Sequence, residues 1–475
     1  MSRVAALIDG KPVQTTARVP IEDPSTGEVM ASTPDCGHTE VNDAVSAARA
    51  ALTAWRATPV ADRAAALRRV AAAIAASADE LAQLEAQQTG KPLAQGRRDA
   101  QITVRYFDFY ASAVEMLYGS MIPLNDSTHV FTRWEPHGVT AAIIPWNYPL
   151  QIAGRSIAPA LAMGNAAVLK PAEEAPLTVL RLAQLALDSG LPAGLFNVVT
   201  GYGETTGAAL TAHPGVDHIS FTGSVEVGRL ISHAAAEKLI PITMELGGKS
   251  PNIVFQDADL DRALPVIVNS IIQMGGQTCS AGSRLLVHEA VHDEVITRVR
   301  DRFAAVRIGR ALDDPDLGPL ISARQRDRVL SYVESSRNNA EVTFGGRPLS
   351  GDKYGNGFFV EPTLIDNVDP TSKIGQEEVF GPVLAVTTFR DADEAIALAN
   401  GTDYGLVAGV WTSDVSTAHR MIRDIVAGQV FVNTYGASGG VELPFGGFKH
   451  SGHGREKGFE GLRGFGQVKT GVIAL

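Results

Sequence analysis

Cys279 is one of only two cysteines in this 475-residue chain, and it lies in a glycine-rich stretch, residues 275–282, that follows a long apolar segment. A cysteine thiolate is a strong nucleophile, and glycine lets a backbone approach a ligand closely. Most unpaired cysteines, however, are small buried hydrophobic residues. The stretch by itself favours that structural interpretation, so a catalytic role for Cys279 needs support from other parts of the chain.

Glu245 is a second candidate for chemistry. It lies in a predicted strand, residues 242–246, where apolar side chains alternate with Thr243 and Glu245 as on any half-exposed strand. Gly247 and Gly248 follow directly and end the strand at residues 246–251, the predicted crossing between two domains. A carboxylate in a cleft at such a junction can act as a general base.

Residues 288–292 match H-E-x-x-H, a zinc pattern that needs both histidines on one face of a continuous helix. Residues 285–287 are typical of a strand that runs up to His288, and the apolar stripe of the next helix begins only at Val295. We therefore expect His288 to lie outside that helix. No third ligand is evident in the sequence, and no metal site is predicted.

The elements that must position these residues alternate in type from residue 139 onward. Short β-branched runs, typical of buried strands, are separated by segments with the period of helices. This alternation predicts an α/β fold with two doubly wound parallel-sheet domains. The predicted strands are 139–144, 166–169, 196–199, 218–221 and 242–246 in the first domain, and 252–255, 284–287, 383–388, 406–410 and 430–432 in the second.

The N-terminal part begins with strand-and-turn material, residues 5–29, and continues as helices. Apolar residues three and four apart predict one helix over residues 41–55. A second helix has a buried stripe that starts at Leu67 and continues to residue 84, until the Thr-Gly-Lys-Pro sequence at 89–92 stops it. Further helices are expected at 96–118, 150–163, 178–189, 205–211 and 225–236.

Two glycine-rich turns follow predicted strands, at the sheet edge where parallel sheets usually bind ligands. One contains Gly223 and Ser224, and the other contains Gly203 and Gly207. Backbone N–H groups at such turns can hold a pyrophosphate, although neither turn has the G-x-G-x-x-G fingerprint. Residues 170–173, which begin with a lysine and end with a glutamate, follow another strand and could bind ribose hydroxyls. A solvated loop pair is the alternative.

Composition excludes several classes of function. The formal net charge is -11 and no Lys/Arg run occurs, which disfavours binding to nucleic acid or an anionic membrane.

Cys36 and Cys279 cannot form a disulfide framework, and Cys36, in a polar stretch, is expected to be structural. No signal peptide is evident, and the longest apolar segment, residues 139–169, is interrupted by proline, asparagine and arginine. We therefore expect a cytoplasmic protein.

Seven short motifs occur along the chain in the order in which they occur in the NAD(P)-dependent aldehyde dehydrogenase superfamily. Each motif alone is weak, but together they cover nearly the whole chain, and the chain resembles that superfamily. The motifs are PWNYP (145–149), KPAE (170–173), FTGS (221–224), ELGGKSP (245–251), GQTC (276–279), EVFGP (378–382) and PFGG (444–447).

The resemblance implies that Cys279 attacks an aldehyde carbon and forms a thiohemiacetal, from which hydride can leave. The side-chain amide of Asn147 and the backbone N–H of Cys279 would stabilise the oxyanion. Glu245 would activate the water that hydrolyses the thioester, and a water-poor cleft would raise its pKa toward neutrality. Two other classes stay open: a non-catalytic protein with this fold, and a cysteine-dependent hydrolase or acyltransferase, for which no local context nominates a histidine base.

The resemblance also implies NAD as the cofactor. Lys170 and Glu173 would bind the adenosine ribose, and the Glu173 carboxylate should repel the 2′-phosphate of NADP, which makes NADP the less favoured cofactor. Ser224 would bind a phosphate, and Glu378 with Phe380 would bind the nicotinamide riboside. The remaining expected cofactor residues are Trp146, Gly203, Gly207, Gly223 and Leu246.

Domain boundaries follow from the same resemblance. An NAD-binding domain is expected over residues 1–117 and 136–247, and a catalytic domain over residues 248–455. A small β oligomerisation element would comprise residues 118–135 and 456–475 and would join a homodimer or homotetramer.

The expected partner is a small-molecule aldehyde, whose class the sequence leaves open. Arg155 matches an arginine with which semialdehyde-oxidising relatives hold the distal carboxylate of the substrate. Those relatives tend to have a second arginine where this chain has Gln273, and a serine where it has Gly440. Ser156 also replaces a lysine common in the family. Arg155 could therefore belong to a structural ion pair instead.

Tyr148 and Gly439 are the other candidate substrate residues. Glycines at 439 and 440 would leave the pocket wall unfilled. That feature favours a bulky or aromatic aldehyde as the competing substrate class.

Overall fold

A computed structural model describes residues 2–436 and 440–475 of the chain. The α-helices are α1 (His38–Ala57), α2 (Val60–Ala76), α3 (Ala78–Thr89), α4 (Leu93–Ala113), α5 (Pro149–Met163), α6 (Leu177–Asp188), α7 (Ala208–Ala212), α8 (Val225–Lys238), α9 (Leu260–Ile272), α10 (His292–Ala304), α11 (Ala323–Ser336), α12 (Lys373–Gln376), α13 (Ala392–Asn400), α14 (Val415–Asp424) and α15 (Gly458–Arg463).

The strands follow the same numbering in chain order. They are β1 (Ser2–Arg3), β2 (Ala6–Ile8), β3 (Lys11–Val13), β4 (Arg18–Asp23), β5 (Glu28–Pro34), β6 (Met121–Asn125), β7 (Thr128–Pro136), β8 (Val139–Ile143), β9 (Ala166–Lys170), β10 (Phe196–Val198), β11 (His218–Thr222), β12 (Ile242–Glu245), β13 (Pro251–Val254), β14 (Arg284–His288), β15 (Glu341–Phe344), β16 (Thr363–Asp366), β17 (Val383–Phe389), β18 (Tyr404–Gly405), β19 (Val407–Trp411), β20 (Gln429–Val432), β21 (Phe448–Lys449), β22 (Gly452–His453) and β23 (Gly466–Ala474).

Within the described residues, the first sheet has the strand order β22-β12-β11-β8-β9-β10-β2-β3. The central strands from β12 to β10 are parallel, and β22 and β2 add to them antiparallel. Strands β9 and β11 are wholly buried, because helices such as α1 and α5 pack against the sheet. Strand β22 comes from the segment assigned to the catalytic domain, so the chain returns to the first sheet before residue 455.

The second sheet has the order β15-β16-β17-β14-β13-β19-β20 over the same described ranges. All neighbours from β16 to β20 are parallel, and β15 is antiparallel. The predicted pair of parallel-sheet domains is therefore confirmed. Strand β12 ends at Glu245 and β13 begins at Pro251, so residues 246–250 cross from the carboxyl edge of one sheet to the amino edge of the other.

A third sheet, of order β23-β7-β6, lies where the resemblance places an oligomerisation element. Strand β23 pairs with β7 over nine residues, from Gly466 opposite Pro136 to Ala474 opposite Thr128. Strand β6 is exposed along its whole length. Large apolar side chains on this sheet are open to solvent, namely Met121, Ile122, Leu124, Val468, Val472 and Ile473.

The helical prediction for residues 67–84 needs a correction, because two helices replace the expected one. Ser77 has φ -106° and ψ 15°, and this single non-helical residue separates α2 from α3. A one-residue break leaves the apolar stripe almost unshifted, so periodicity alone does not reveal it. His288 ends β14 and lies outside α10, as predicted, and His292 is the first residue of that helix. Among the described helices, none has both the length and the apolar character needed to span a membrane.

Candidate active site

A cleft of about 1050 Å3 opens where the first two sheets meet. Asn147, Glu245 and Cys279 all line it, although they come from three separate parts of the chain. Asn147 lies just before α5, Glu245 ends β12, and Cys279 lies between α9 and β14. The structure therefore brings the three predicted catalytic residues into one site.

The glycines before Cys279 are needed for the backbone conformation of the loop and not for contact with a ligand. Met274, Gly275 and Gly276 have φ angles of 51°, 64° and 70°, a left-handed run that glycine adopts without strain. A Cβ atom on Gly276 would lie 2.2 Å from the carbonyl oxygen of Gly381. Protein atoms thus fill the space beside that glycine, which corrects the expectation that it leaves room for a ligand.

Gln277 and Asn147 fix the position of the cysteine loop. The Gln277 amide donates to the carbonyl of Met274 at 2.9 Å and accepts from the N–H of Ile321 at 3.0 Å. The Asn147 amide nitrogen donates to the carbonyl of Gln277 at 2.8 Å, and its oxygen accepts from the N–H of Tyr148 at 3.1 Å. One N–H of Asn147 thus holds the loop, and its second N–H is left for a substrate oxygen.

Tyr148, a candidate substrate residue, is also tied to the cysteine loop. Its hydroxyl lies 3.0 Å from the hydroxyl oxygen of Thr278, the residue before Cys279. The ammonium group of Lys91 lies 4.4 Å from the centre of the Tyr148 ring. Burial raises the pKa of the Tyr148 hydroxyl to about 12. The side chain is therefore a neutral wall of the cleft.

Burial dominates the protonation of the two reactive groups. Burial, and next the carboxylate of Glu456, raise the pKa of Glu245 well above its usual value. Neither carboxylate oxygen of Glu245 has a hydrogen-bond partner among the described residues. Burial raises the pKa of the Cys279 thiol to about 12, although Arg155 opposes the shift. Burial therefore favours the neutral form of both groups, and each must lose a proton before it can act as a base or a nucleophile.

Arg155 lies in the cleft wall, but its charge is already paired. Its guanidinium forms an ion pair with Glu456, and both side chains are almost wholly buried. A second nitrogen of Arg155 donates to the hydroxyl of Thr222 at 3.2 Å, and Glu456 accepts from the hydroxyl of Ser220 at 3.0 Å. This geometry favours the structural ion pair over a free carboxylate-binding arginine.

Sequence reasoning missed Lys457, which lines the cleft, and Glu456, the buried ion-pair partner of Arg155. Glu456 reaches Arg155 across about 300 positions of the chain, and no local pattern signals such a partner. Lys457 lines the cleft directly after it. The only local signal is the adjoining Arg455 and Glu456, which look like an ordinary charged surface in the sequence.

Six of the expected cofactor residues line the same cleft, namely Trp146, Gly223, Ser224, Leu246, Glu378 and Phe380. Glu378 accepts from the N–H of Gly248 at 3.0 Å, and a Cβ atom on Gly247 would lie 2.3 Å from a Glu378 oxygen. Burial raises the pKa of Glu378 to about 7. The hydroxyl of Ser224 accepts from the N–H of Val227 and caps α8, which leaves its proton for a phosphate oxygen.

The other four expected cofactor residues form a second group at the ends of β9 and β10. Lys170 and Glu173 contact each other at 3.2 Å. Gly203 and Gly207 bound a single turn of π-helix, and a Cβ atom on Gly207 would lie 3.9 Å from the Lys170 side chain. No described atom lies within 4 Å of a Cβ atom built on Gly203. The space beside Gly203 is therefore free of described protein atoms.

The structure gives less information about the remaining residues discussed for the substrate. Gly439 lies outside the described residues, so the structure leaves its predicted role as a prediction. Gln273 lines the cleft. The hydroxyl of Ser156 is buried and has no hydrogen-bond partner in the part of the chain that the structure describes.

Comparison with known proteins identifies relatives over the whole chain. Residues 12–471 match the family model described as the aldehyde dehydrogenase family. A crystal structure of a Burkholderia cenocepacia protein assigned as an aldehyde dehydrogenase is 51% identical, with a TM-score of 0.97, and the match covers 99% of this chain and 100% of that one.

Two further solved structures match with the same TM-score of 0.97. An NAD-dependent aldehyde dehydrogenase from Sinorhizobium meliloti is 39% identical, over 100% of this chain and 95% of that one. An indole-3-acetaldehyde dehydrogenase in complex with NAD+ is 38% identical, over 100% of this chain and 97% of that one.

Proposed function

This chain belongs to the aldehyde dehydrogenase family, and from that premise we propose that it oxidises an aldehyde to its carboxylic acid with NAD, through a covalent bond to Cys279. The observation that carries the proposal is the meeting of Cys279, Glu245 and Asn147 in one cleft with the residues expected at the nicotinamide. The NAD complex of one relative and the NAD dependence of another support the choice of cofactor.

In the first half of the reaction, the Cys279 thiol releases its proton to solvent, and the sulfur forms a bond to the aldehyde carbon. The carbonyl oxygen becomes an oxyanion, which the free N–H of Asn147 and the backbone N–H of Cys279 stabilise. Bound NAD supplies the hydride acceptor. Loss of hydride from the tetrahedral carbon leaves a thioester on Cys279, because the oxyanion electrons reform the C=O bond.

In the second half, Glu245 takes a proton from water, and the resulting hydroxide attacks the thioester carbon. The C–S bond breaks, the carboxylic acid leaves, and Cys279 returns as a thiolate. The buried environment of Glu245 suits this step, since it raises the carboxyl pKa well above its usual value. A carboxylate with a raised pKa holds a transferred proton more strongly than one in water does.

The cleft argues against a cysteine-dependent hydrolase. Such an enzyme needs a histidine that accepts the cysteine proton. Among the described residues that line the cleft, none is a histidine. The carboxylate of Glu245 is the base that the site offers, as hydrolysis of a thioester in this family requires.

The cofactor preference and the assembly are part of the same proposal. The carboxylate of Glu173 beside Lys170 favours the free ribose hydroxyl of NAD over the 2′-phosphate of NADP. The exposed apolar side chains of the third sheet, such as Leu124 and Val472, suit contact with a second copy of the chain. We accordingly propose a homodimer or homotetramer joined through that sheet.

Replacement of the nucleophile tests the proposal. We expect Cys279→Ala to lower the rate of NADH formation by about 10⁴-fold or more, because removal of a catalytic nucleophile has effects of that order. The measurement is NADH absorbance with NAD and a panel of semialdehydes, benzaldehydes and short aliphatic aldehydes.

The matched control for that variant is Cys36→Ala. Cys36 is the other cysteine of the chain, is buried away from the cleft, and should keep its full rate when replaced. Full dehydrogenase activity in Cys279→Ala, or no NADH from the parent protein with any aldehyde, would contradict the proposed function.

A further inference from the structure

The substrate side of the cleft contains two cations beside Cys279, and they differ in how they are paired. Arg155 is committed to its ion pair with Glu456. Lys457 is the next residue in the chain and lines the cleft. No carboxylate of the described residues lies within ion-pair distance of its ammonium group. Lys457 is therefore the cation of this wall that can still bind an anion.

The aromatic ring of Phe445 supports both cations. The ammonium nitrogen of Lys457 lies 5.0 Å from the ring centre, and the guanidinium carbon of Arg155 lies 5.4 Å from it. Phe445 also lines the cleft. A cation held on an aromatic face keeps its hydrogen-bond donors available, since the ring contacts one side of the ammonium group only.

The backbone conformation of Lys457 places its side chain at the cleft. Its φ of 59° and ψ of 168° lie in a region that residues other than glycine rarely adopt. Pairing of Glu456 with Phe445, at 2.7 and 2.8 Å, and a hydrogen bond from the Gly458 N–H to Val441, at 2.8 Å, fix the chain on both sides. Consecutive side chains therefore diverge: Glu456 enters the protein interior and Lys457 lines the cleft.

We propose that Lys457 selects the substrate, by binding a carboxylate group carried on the aldehyde while Cys279 attacks the carbonyl carbon. This inference rests on the proposed aldehyde oxidation. It assigns to Lys457 the recognition of a semialdehyde that the sequence pattern suggested for Arg155. The single charge of Lys457 matches that of a carboxylate, and Tyr148, Ile152 and Val266 provide apolar wall for the carbon chain between the two groups.

The state of the lysine is compatible with this role. Burial, and next the nearby guanidinium of Arg155, lower the pKa of the Lys457 amine to about 8, while Cys279, Glu245 and Glu456 oppose the shift. The amine is therefore cationic in most molecules at neutral pH. A bound carboxylate would favour the charged form further, because an opposite charge at short distance raises the pKa of an amine.

The test compares two four-carbon aldehydes that differ in one end group, succinic semialdehyde and butanal. The measured quantity is the ratio of their kcat/KM values, with NAD saturating. We expect the parent protein to favour the semialdehyde, and Lys457→Met to lower the ratio about 10- to 100-fold through KM, the range for loss of a charged hydrogen bond. Lys457→Arg should restore most of the ratio. Benzaldehyde and 4-carboxybenzaldehyde extend the same comparison to aromatic substrates.

Two control variants distinguish Lys457 from other cations of the protein. Lys353 lies 5.0 Å from the ring of Tyr354 and outside the cleft lining, so Lys353→Met should leave the ratio unchanged. Arg98 is exposed where α4 borders the cleft. A fall in the ratio with Arg98→Met and none with Lys457→Met would place the anion at Arg98 and overturn the proposal.

The remaining outcomes distinguish this proposal from the general function. Equal losses for both aldehydes in Lys457→Met would mean that the lysine acts on Cys279 or Glu245, which overturns a role in substrate selection. Oxidation of butanal and benzaldehyde by the parent, without preference for their carboxylate partners, would overturn the selection while the dehydrogenase activity stands. No NADH with any aldehyde would instead refute the dehydrogenase activity itself.

Discussion

Two clusters of polar and charged side chains in this protein differ in how their members are paired. The helical cluster is Glu85, Gln88, Lys91, Asp99 and Thr178, and the cleft cluster is Arg155, Glu245, Glu456 and Lys457. Both place at least two carboxylates beside a cation. Their difference separates charges that hold the fold from charges that are left for chemistry.

The helical cluster satisfies its charges within the protein. Lys91 contacts Glu85 at 3.1 Å and also pairs with Asp99, and the three side chains are at most 4% exposed. The second oxygen of Glu85 accepts from the hydroxyl of Thr178 at 2.7 Å and from the amide of Gln88 at 3.2 Å. Burial alone would lower the pKa of Lys91, but the two carboxylates raise it above its usual value.

The cleft cluster has two acidic and two basic side chains but pairs only one of each. Arg155 and Glu456 are in contact, whereas the Glu245 carboxylate and the Lys457 ammonium have no such partner in the described part of the chain. A buried ionisable group without a partner is costly to charge. Such groups are found where a proton or a ligand charge must be taken up, and we infer on this ground that the unpaired members of the cleft cluster, Glu245 and Lys457, are its functional ones.

Replacement of the unpaired carboxylate should have the largest effect on activity. We expect Glu245→Gln to lower kcat by about 10²- to 10⁴-fold, the usual range for loss of a general base. Rapid-mixing measurements should still show a first burst of NADH, because the amide blocks hydrolysis of the thioester and not its formation. A normal steady-state rate would show that Glu245 is not the base.

The pH dependence of the free energy of unfolding tests the raised pKa of Glu245 independently of activity, with Glu245→Gln as the comparison. The folded-state pKa of Glu245 lies above the value of about 4.5 in an unfolded chain, so the folded protein binds its proton more tightly. Below pH 4.5 both states are protonated and the residue contributes no difference. As the pH rises toward the folded pKa, the parent loses stability and Glu245→Gln does not. The variant should therefore unfold at higher urea concentration than the parent at pH 8, and at the same concentration near pH 4.

Removal of the central cation of the helical cluster should have the largest effect on stability. Lys91→Met leaves two carboxylates buried together, and we expect it to lower the free energy of unfolding by about 3–5 kcal/mol. The matched control is Lys11→Met, which breaks an exposed ion pair with Asp9 and should cost at most about 1 kcal/mol. Urea unfolding measures both. Similar small losses in the two variants would mean that burial does not strengthen the helical cluster.

The sequence predicted the parts of this comparison that local pattern controls. Strands such as β9 and β11 were predictable because they are short runs that alternate with segments of helical period. The series of motifs located Cys279, Glu245 and Asn147. The position of the Lys457 side chain in the cleft was not predictable. It depends on the positive φ of Lys457, which no neighbouring residue type indicates.

The short strands of the second sheet show the same limit. β15 and β16, which pair with each other at one edge of the second sheet, were not predicted, although β13 and β20, which are equally short, were. The ion pair of Arg155 depends on a partner in the last twentieth of the chain. Tertiary contacts of this kind decide which charges are paired, and they leave no local pattern.

The smallest effect we predict concerns one hydroxyl in each region. Ser156, next to Arg155 on α5, is buried, and its hydroxyl lacks a partner among the described residues. Its removal in Ser156→Ala relieves a desolvation cost, so the free energy of unfolding should rise by up to about 1 kcal/mol. Thr178→Val keeps the side-chain shape but deprives Glu85 and Gln88 of a shared hydrogen-bond partner. This variant should lower the free energy of unfolding by about 1–3 kcal/mol.

The signs of these two changes in the free energy of unfolding show whether polar groups near the cleft and in the helical cluster differ in their pairing. Both are measured by urea unfolding at one pH, and each variant removes a single hydroxyl oxygen without a change of charge. Opposite signs mean that polar groups beside the cleft are unpaired while those of the helical cluster are paired. If Ser156→Ala lost as much stability as Thr178→Val, an ordered water would have to satisfy the Ser156 hydroxyl, and the surroundings of Arg155 would then be as fully paired as those of Lys91.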